Sequence, residues 1–333
     1  MTRDGIGALA RLEVPAFRPA RGFAGPHRQT ILANVGPRPS PLASRTLEVE
    51  SEPGTRIRLE LDAPADGLAV RGGLVLVHGL TGDANSPYLV RSARLAVARG
   101  LAVARVNLRN CGGTEELARG SYHGGVDADA RAAVAALRAE LGVDAVVLAG
   151  FSIGGNVVLR SGIAPPPGAR GIVAVSPAVD FARATQAIAS GRRNALYQRL
   201  FVRDLGRILM RRRALGLVEF EDAELARITT VRGLDERFTA PLGGFRDLDD
   251  YYARASSLRM LPELQLPALV LASSDDPLVP FESFEQPEVA DNPRIRLVAT
   301  AHGGHQGFLG RGVERRWAER RLVDAALALL GTT

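Results

Sequence analysis

Residues 146–156 read VVLAGFSIGGN: a short β-branched apolar run, then Gly150-Phe151-Ser152-Ile153-Gly154, then helical spacing. A strand can pass into a helix across a single serine only through a sharp turn. Such a turn strains the serine and crowds its neighbours, so both flanking positions must lack side-chain bulk. Glycine occupies both. The turn leaves the Ser152 hydroxyl exposed at a helix N-terminus, where the dipole and the free N–H groups favour developing negative charge.

The surrounding chain alternates short β-rich runs with longer helical patterns, the mark of a mostly parallel sheet. Residues 45–50 and 56–61 alternate apolar and polar positions about Pro53-Gly54 and read as an antiparallel hairpin at one sheet edge. Residues 73–77, 101–106, 145–149 and 171–175 are continuous apolar runs bounded by turn residues, as strands buried on both faces should be. Residues 87–99 and 127–141 carry helical spacing; in the second, Ala130, Val134, Leu137 and Leu141 recur every three or four positions. Past Ser176-Pro177 the rhythm breaks. Residues 181–255 hold arginine-rich helical stretches without a clear strand, and are expected to form a helical insertion over the sheet's C-terminal edge. Residues 266–273 and 295–300 restore the strand pattern, and an amphipathic helix from about 312 to 330 closes the fold. The 333 residues suit one domain, with a core of about 40–180 and 256–333 around that insertion.

Composition narrows the chemistry. All 42 basic residues are arginine, which barely titrates, so a net charge of only +6 produces a very high isoelectric point. Without an RNA- or DNA-binding motif, an arginine-biased surface accounts for the charge and no nucleic-acid partner is expected. The absence of lysine removes Schiff-base and pyridoxal-phosphate chemistry and the Walker A loop. The one cysteine, Cys111, allows no intrachain disulfide. Asp4 and Arg11 interrupt the N-terminal apolar runs, leaving neither a signal-peptide core nor a membrane span, and a cytoplasmic location is expected.

A serine is a poor nucleophile until a base removes its proton. The histidines are His27, His78, His123, His302 and His305. The base of this architecture follows the last strand, and AHGGHQGF follows residues 295–300, so His302 and His305 are both eligible. His305 is preferred because Gly303, Gly304 and Gly307 give it an open, flexible approach to the serine, with His302 supporting the loop. The acid belongs at the end of the preceding strand, where Asp275 and Asp276 precede Pro277. Asp276, next to the proline turn, is the expected acid that fixes the imidazole tautomer, and Asp275 the turn-forming neighbour. The chain order Ser, Asp, His is that of the α/β-hydrolase fold. An oxyanion needs two preorganised N–H donors. Ile153 supplies one, and Leu80 in VHGLTGDANSPY the other, with His78 shaping that loop. An H-x-x-H metal pair at His302 and His305 lacks a glutamate-bearing helix, so no metal is expected. Cys111 has no base beside it and reads as a turn residue.

With these residues in place, the chain resembles the YheT-like branch of the α/β hydrolases, related to the membrane-associated abhydrolase-domain lipases and phospholipases of animals. The resemblance runs from GPHRQTIL at residues 25–32 through HGLTGDANSPY, NLRNCGG, SYHGGVDAD, GFSIGGN, FTAPLGGF, DYYARAS, SSDDPLVP and AHGGHQGF. It implies an α/β-hydrolase fold, a mostly parallel sheet of about eight strands flanked by helices and carrying a helical cap. It also implies carboxylic-ester hydrolysis, often of short or medium acyl esters, with lipids as substrates in the animal relatives. The family's serine, acid and histidine carry over onto Ser152, Asp276 and His305. Asn110 stands where such chains usually have glycine, and asparagine can still adopt the positive φ of a turn there.

The expected enzyme is a serine-dependent ester hydrolase that works through an acyl-enzyme, without cofactor or metal, on a small-molecule ester or lipid. The same residues could instead pass the acyl group to an alcohol or thiol, as an acyltransferase, or act as a thioesterase. From a different class, the fold could serve as a catalytically silent binding protein. Residues 181–255 are expected to bind the acyl group, either as an ordinary amphipathic lid or as a surface that docks on anionic membrane through its arginines.

Overall fold

The computed structural model describes residues 3–34, 39–65 and 67–331. Among them, eight strands form one sheet: β1 (Arg45–Glu52), β2 (Thr55–Asp62), β3 (Gly72–Val77), β4 (Leu101–Asn107), β5 (Val146–Phe151), β6 (Ala169–Val175), β7 (Ala268–Ser273) and β8 (Ile295–Thr300). Their order is β1-β2-β4-β3-β5-β6-β7-β8. β2 runs antiparallel to β1 and β4, and every other pairing is parallel. The helices before the insertion are α1 (Arg3–Arg11), α2 (Pro26–Asn34), α3 (Pro87–Val97), α4 (Asp127–Leu141) and α5 (Ile153–Ser161). Between β6 and β7 come α6 (Phe181–Ala189), α7 (Ala195–Ala214), α8 (Asp222–Ala226), α9 (Val231–Leu234), α10 (Ala240–Leu242) and α11 (Leu248–Ala255). The short α12 (Pro287–Ala290) and the long α13 (Trp317–Leu329) complete the chain.

Side-chain alternation divides the interior into two layers. On β3, Leu74 and Leu76 enter one core while Val75 and Val77 enter the other; on β5, Val147 and Ala149 oppose Val146 and Leu148. The first layer is roofed by Leu9 of α1, Leu89 and Ala93 of α3, and Leu322 and Val323 of α13. The second is roofed by Val134 and Leu137 of α4 and Val157 and Val158 of α5. This double cover explains why the central strands read as continuous apolar runs. Each fully buried Val or Leu contributes about 1.5–3 kcal/mol.

Two differences from the sequence reading bear on the site. Helices α1 and α2 were not anticipated. The stretch in α1 contains two glycines that weaken intrinsic helicity, and tertiary contacts hold it: Leu9 is fully buried, and Arg296 of β8 donates to the carbonyls of Leu9 and, at 2.8 Å, Leu12. The closing helix starts at Trp317, later than its amphipathic pattern suggested, because Gly312 takes φ +54° and only a short 3₁₀ turn (Gly312–Glu314) precedes it. No described helix is long and apolar enough to cross a membrane.

The arginines of α7 are largely engaged within the molecule. Arg207 pairs with Asp204 at 3.0 Å, Arg211 with Glu115 at 3.2 Å and Arg213 with Asp222 at 2.7 Å. Arg212 is buried and donates to the carbonyls of Ala118, Arg119 and Gly120 at 3.2, 2.7 and 3.0 Å. It fastens this helix to the loop after β4.

Candidate active site

The turn between β5 and α5 is strained and closely packed. Ser152 has φ +53° and ψ −119°, a region unfavourable for a residue with a side chain. It is held there by its own backbone: its N–H donates to the Val175 carbonyl at 2.9 Å, and its carbonyl accepts from Asn156 and Ala178 at 3.1 Å each. A Cβ on Gly150 would lie 2.2 Å from the Gly154 carbonyl oxygen, and one on Gly154 would lie 2.4 Å from that of His78. Both glycines of the motif are thus required by contact with backbone. The Asn156 side chain locks the start of α5 to the insertion, donating to the carbonyls of Gly124 and Ala255 at 2.9 Å each and accepting from the Ser257 N–H at 2.7 Å.

The structure brings Ser152, His305 and Asp276 together. His305 Nδ1–H donates to Asp276 Oδ2 at 2.9 Å, and the Ser152 hydroxyl donates to His305 Nε2, also at 2.9 Å. The other oxygen of Asp276 accepts from the amides of Leu278 and Val279 at 2.8 and 3.0 Å, so the carboxylate cannot rotate freely. Asp275 faces elsewhere. Its Oδ1 accepts from the Gly304 N–H at 2.8 Å, and its Oδ2 lies 3.5 Å from Nδ1 of the half-exposed His302. His302 and His305 therefore turn to different carboxylates rather than converging as a pair.

The glycines around His305 have a role unlike the one expected of them. A Cβ on Gly304 would sit 2.4 Å from the Pro26 carbonyl oxygen, and one on Gly307 would sit 2.5 Å from that of Gln29. They let the loop press against α2, which is close fitting and not flexibility. Across this contact the His305 N–H donates to Thr30 Oγ1 at 2.9 Å. Gln29, fully buried, accepts from the Leu309 N–H at 2.6 Å and donates to the Phe23 carbonyl at 2.6 Å. Gln306, at φ +62°, donates its N–H to Ser176 Oγ at 3.2 Å and brings its amide nitrogen within 3.2 Å of His305 Nε2. The sequence reading singled out none of Gln29, Thr30 and Gln306 as site residues. The available signals were GPHRQTIL for Gln29 and Thr30 and AHGGHQGF for Gln306.

Leu80 and Ile153 both line the cavity beside Ser152. Ile153 is the first residue of α5, so the helix itself offers its N–H no acceptor. The segment before Leu80 runs against the serine: a Cβ on Gly79 would be 3.4 Å from that of Ser152. His78 is fully buried; Nδ1 donates to the Gly79 carbonyl at 2.8 Å, and Nε2 accepts from the Leu108 N–H at 3.3 Å. Burial lowers its pKa, so it stays neutral and braces the loop. Burial likewise takes His123 down to about 3, where Nδ1 accepts from the Gly125 N–H at 3.0 Å. Cys111 is buried in the core, and desolvation raises its thiol well above the usual range, which removes it as a nucleophile. Asn110 takes φ +63°, as the turn requires.

The cavity opens from Ser152 and His305 into the helices after β6. It holds about 560 Å³ of empty space, counting the part open to solvent, and its walls include Phe181, Ile188, Phe201, Val231 and Leu278. Among the described residues no group of three or more His, Cys, Asp and Glu is placed to hold a metal ion.

Comparison with known proteins agrees with this architecture. Residues 73–311 match the family described as the alpha/beta hydrolase fold. The Escherichia coli (strain K12) protein named "Putative esterase YheT" is 28% identical over 316 residues, which cover 92% of each chain. Phospholipase ABHD3 of Mus musculus is 26% identical over 283 residues, 78% of this chain and 68% of its own. Among solved structures, the Pyrococcus furiosus esterase Pf2001 superposes with a TM-score of 0.56 at 15% identity, covering 95% of this chain and 98% of that one, a likeness of fold alone. The sheet order, the strand–serine–helix turn and a family match over most of the length lead to one conclusion: the chain belongs to the α/β hydrolase fold family.

Proposed function

We propose that the protein is a serine-dependent carboxylic-ester hydrolase, with Ser152 as nucleophile, His305 as general base and Asp276 as the group that orients it. One observation carries the reading: the unbroken hydrogen-bonded chain from Asp276 through His305 to Ser152, whose last two members line an apolar cavity. Relatives named as an esterase and a phospholipase support an ester or lipid substrate.

In the first step Ser152 Oγ attacks the ester carbonyl while His305 Nε2 takes its proton, and the amides of Ile153 and Leu80 hold the oxyanion. His305 then gives the proton to the leaving alcohol, and the acyl group remains on Ser152. Water, activated by the same nitrogen, attacks the acyl-enzyme; the acid departs and the proton returns to Ser152. The apolar walls of the cavity suit the acyl chain. The same acyl-enzyme would serve an acyltransferase, told apart by its acceptor, or a thioesterase, told apart by its thiol leaving group. The α7 arginines already paired internally favour an ordinary lid over a membrane-docking face.

A fluorophosphonate probe should label the wild-type protein at Ser152. Ser152→Ala should lose that label and lower p-nitrophenyl ester turnover on the million-fold scale known for other triads, roughly 10⁶. Near-normal turnover by a folded Ser152→Ala protein would sink the assignment.

A further inference from the structure

The cavity wall contains a carboxyl group that the proposed hydrolysis does not use. Besides Ser152 and His305, its polar lining side chains are Thr185, Tyr251 and Asp235. The Thr185 hydroxyl is turned back on its own helix, donating to the Phe181 carbonyl at 2.7 Å. The Tyr251 hydroxyl accepts from the Gly124 N–H at 3.3 Å. Asp235 differs from both. It stands at the start of a π turn (Asp235–Thr239) directly after α9, is 7% exposed, and forms no salt bridge among the described residues. Its partners are hydroxyls: Tyr252 donates to Oδ2 at 3.1 Å, and Thr239 makes a second side-chain hydrogen bond. Burial pushes its carboxyl up to about 7, against the pull of those two hydroxyls. At neutral pH the group is therefore present both as acid and as carboxylate.

A carboxyl without a cation in an apolar wall is costly. Joining Tyr252 to Thr239 does not require one, since an asparagine oxygen accepts equally well without an ionisable proton. An ionisable group with a shifted pKa inside the cavity that also holds the reacting serine is more economically a recognition group. We propose that Asp235 selects the acyl group: its carboxyl hydrogen-bonds a hydroxyl carried on the acyl chain, and the preferred substrates are esters of hydroxylated fatty acids. A hydroxyl is the matching partner because it accepts from the neutral acid and donates to the carboxylate. An unsubstituted chain of equal length desolvates Asp235 and returns nothing. Sites built around a substrate hydroxyl reject the analogue lacking it by as much as 10⁴–10⁵. Here Tyr252 and Thr239 already satisfy part of the carboxyl, so a preference of roughly ten- to a hundredfold is expected.

This inference rests on the hydrolase reading above. The test uses p-nitrophenyl esters of one chain length, unsubstituted or carrying a hydroxyl at C3 or at successive carbons from C6 outward (4- and 5-hydroxy esters would lactonise unaided), with the full 333-residue chain. At least one hydroxy ester should exceed the unsubstituted ester in kcat/KM by tenfold or more. In Asp235→Leu that ratio should fall to unity or below, because plain chains gain and hydroxylated chains lose. Should Asp235→Leu fail to fold by circular dichroism, Asp235→Ala must lose the preference in its place. A wild-type protein that turns over the plain ester at least as well as every hydroxy isomer overturns the inference, as does an unchanged ratio in a folded Asp235 variant. Both results leave Ser152-dependent hydrolysis standing. Turnover that survives Ser152→Ala, by contrast, overturns the hydrolase reading and this inference with it.

Discussion

Asp276→Asn changes the donor pattern at one atom and leaves the shape of the side chain alone. Oδ1 of Asp276 faces two N–H groups, of Leu278 at 2.8 Å and Val279 at 3.0 Å, while Oδ2 faces Nδ1 of His305 at 2.9 Å. An asparagine must keep its carbonyl oxygen toward the two amides. The flipped orientation sets an NH₂ against two donors, at about 1–3 kcal/mol for each group left unsatisfied. The asparagine NH₂ is thereby forced toward His305 Nδ1. Only the tautomer with a lone pair on Nδ1 relieves that contact, and it carries its proton on Nε2, pointing at Ser152. The base then lacks the lone pair that must take the serine proton. The equivalent change in a serine protease of another fold lowers kcat about 10⁴-fold, which is about 5.4 kcal/mol at 1.36 kcal/mol per decade. A loss of that order is expected here in kcat for a p-nitrophenyl ester, with an unchanged circular dichroism melt. Asp275→Asn is the control: its oxygen can still accept from the Gly304 N–H, so less than about a tenfold loss is expected. If Asp276→Asn stays within tenfold of wild type, or Asp275→Asn is the more damaging change, the proposed orienting role of Asp276 is wrong.

Three further outcomes follow from the geometry. Gly154→Ala puts a methyl group 2.4 Å from the His78 carbonyl oxygen and 2.5 Å from that of Val77, and backbone on both sides cannot yield cheaply. A loss of about 1–3 kcal/mol or more is expected, read as a lowered Tm, and an unchanged melt would show that the turn tolerates bulk. Thr30→Val removes the acceptor of the His305 N–H, which should lower kcat about tenfold through misplacement of the ring while KM and the fold hold; Thr30→Ser should restore it. For Asp235, a folded pKa near 7 lies above the ordinary 3.8, so the native state binds the extra proton between those values. Stability from this group is full below about pH 4, declines as pH rises to about 7 with a slope of at most roughly 1.4 kcal/mol per pH unit, and is flat above. Asp235→Asn should flatten that decline in urea melts, and identical slopes for the two proteins would contradict the burial cost.

The parts of the fold that could be read from the sequence are those set by local constraint. β3 and β5 stood out because every residue between their turns must be apolar when both faces are covered. The serine turn stood out because two backbone contacts forbid side chains at Gly150 and Gly154. Local pattern failed wherever the deciding contact came from far along the chain. Asp275 and Asp276 are a different case: the neighbouring proline turn pointed to Asp276, and the direction of the loop after β7 brings that residue to His305 and turns Asp275 to Gly304. Gly304 and Gly307 read as flexibility until α2 stands against them. Gln29 and Thr30 stand in the sequence only as part of GPHRQTIL, and Asp235 only as one residue of the stretch 181–255. Their meaning comes from partners such as His305, which lies 275 residues from Thr30. A turn that must bear strain marks itself in neighbouring residues, whereas a side chain that supports the strained site needs only the right chemistry at the right place. Chain connectivity does not confine it to any spacing, and so the supporting residues become visible only once the helices have been packed.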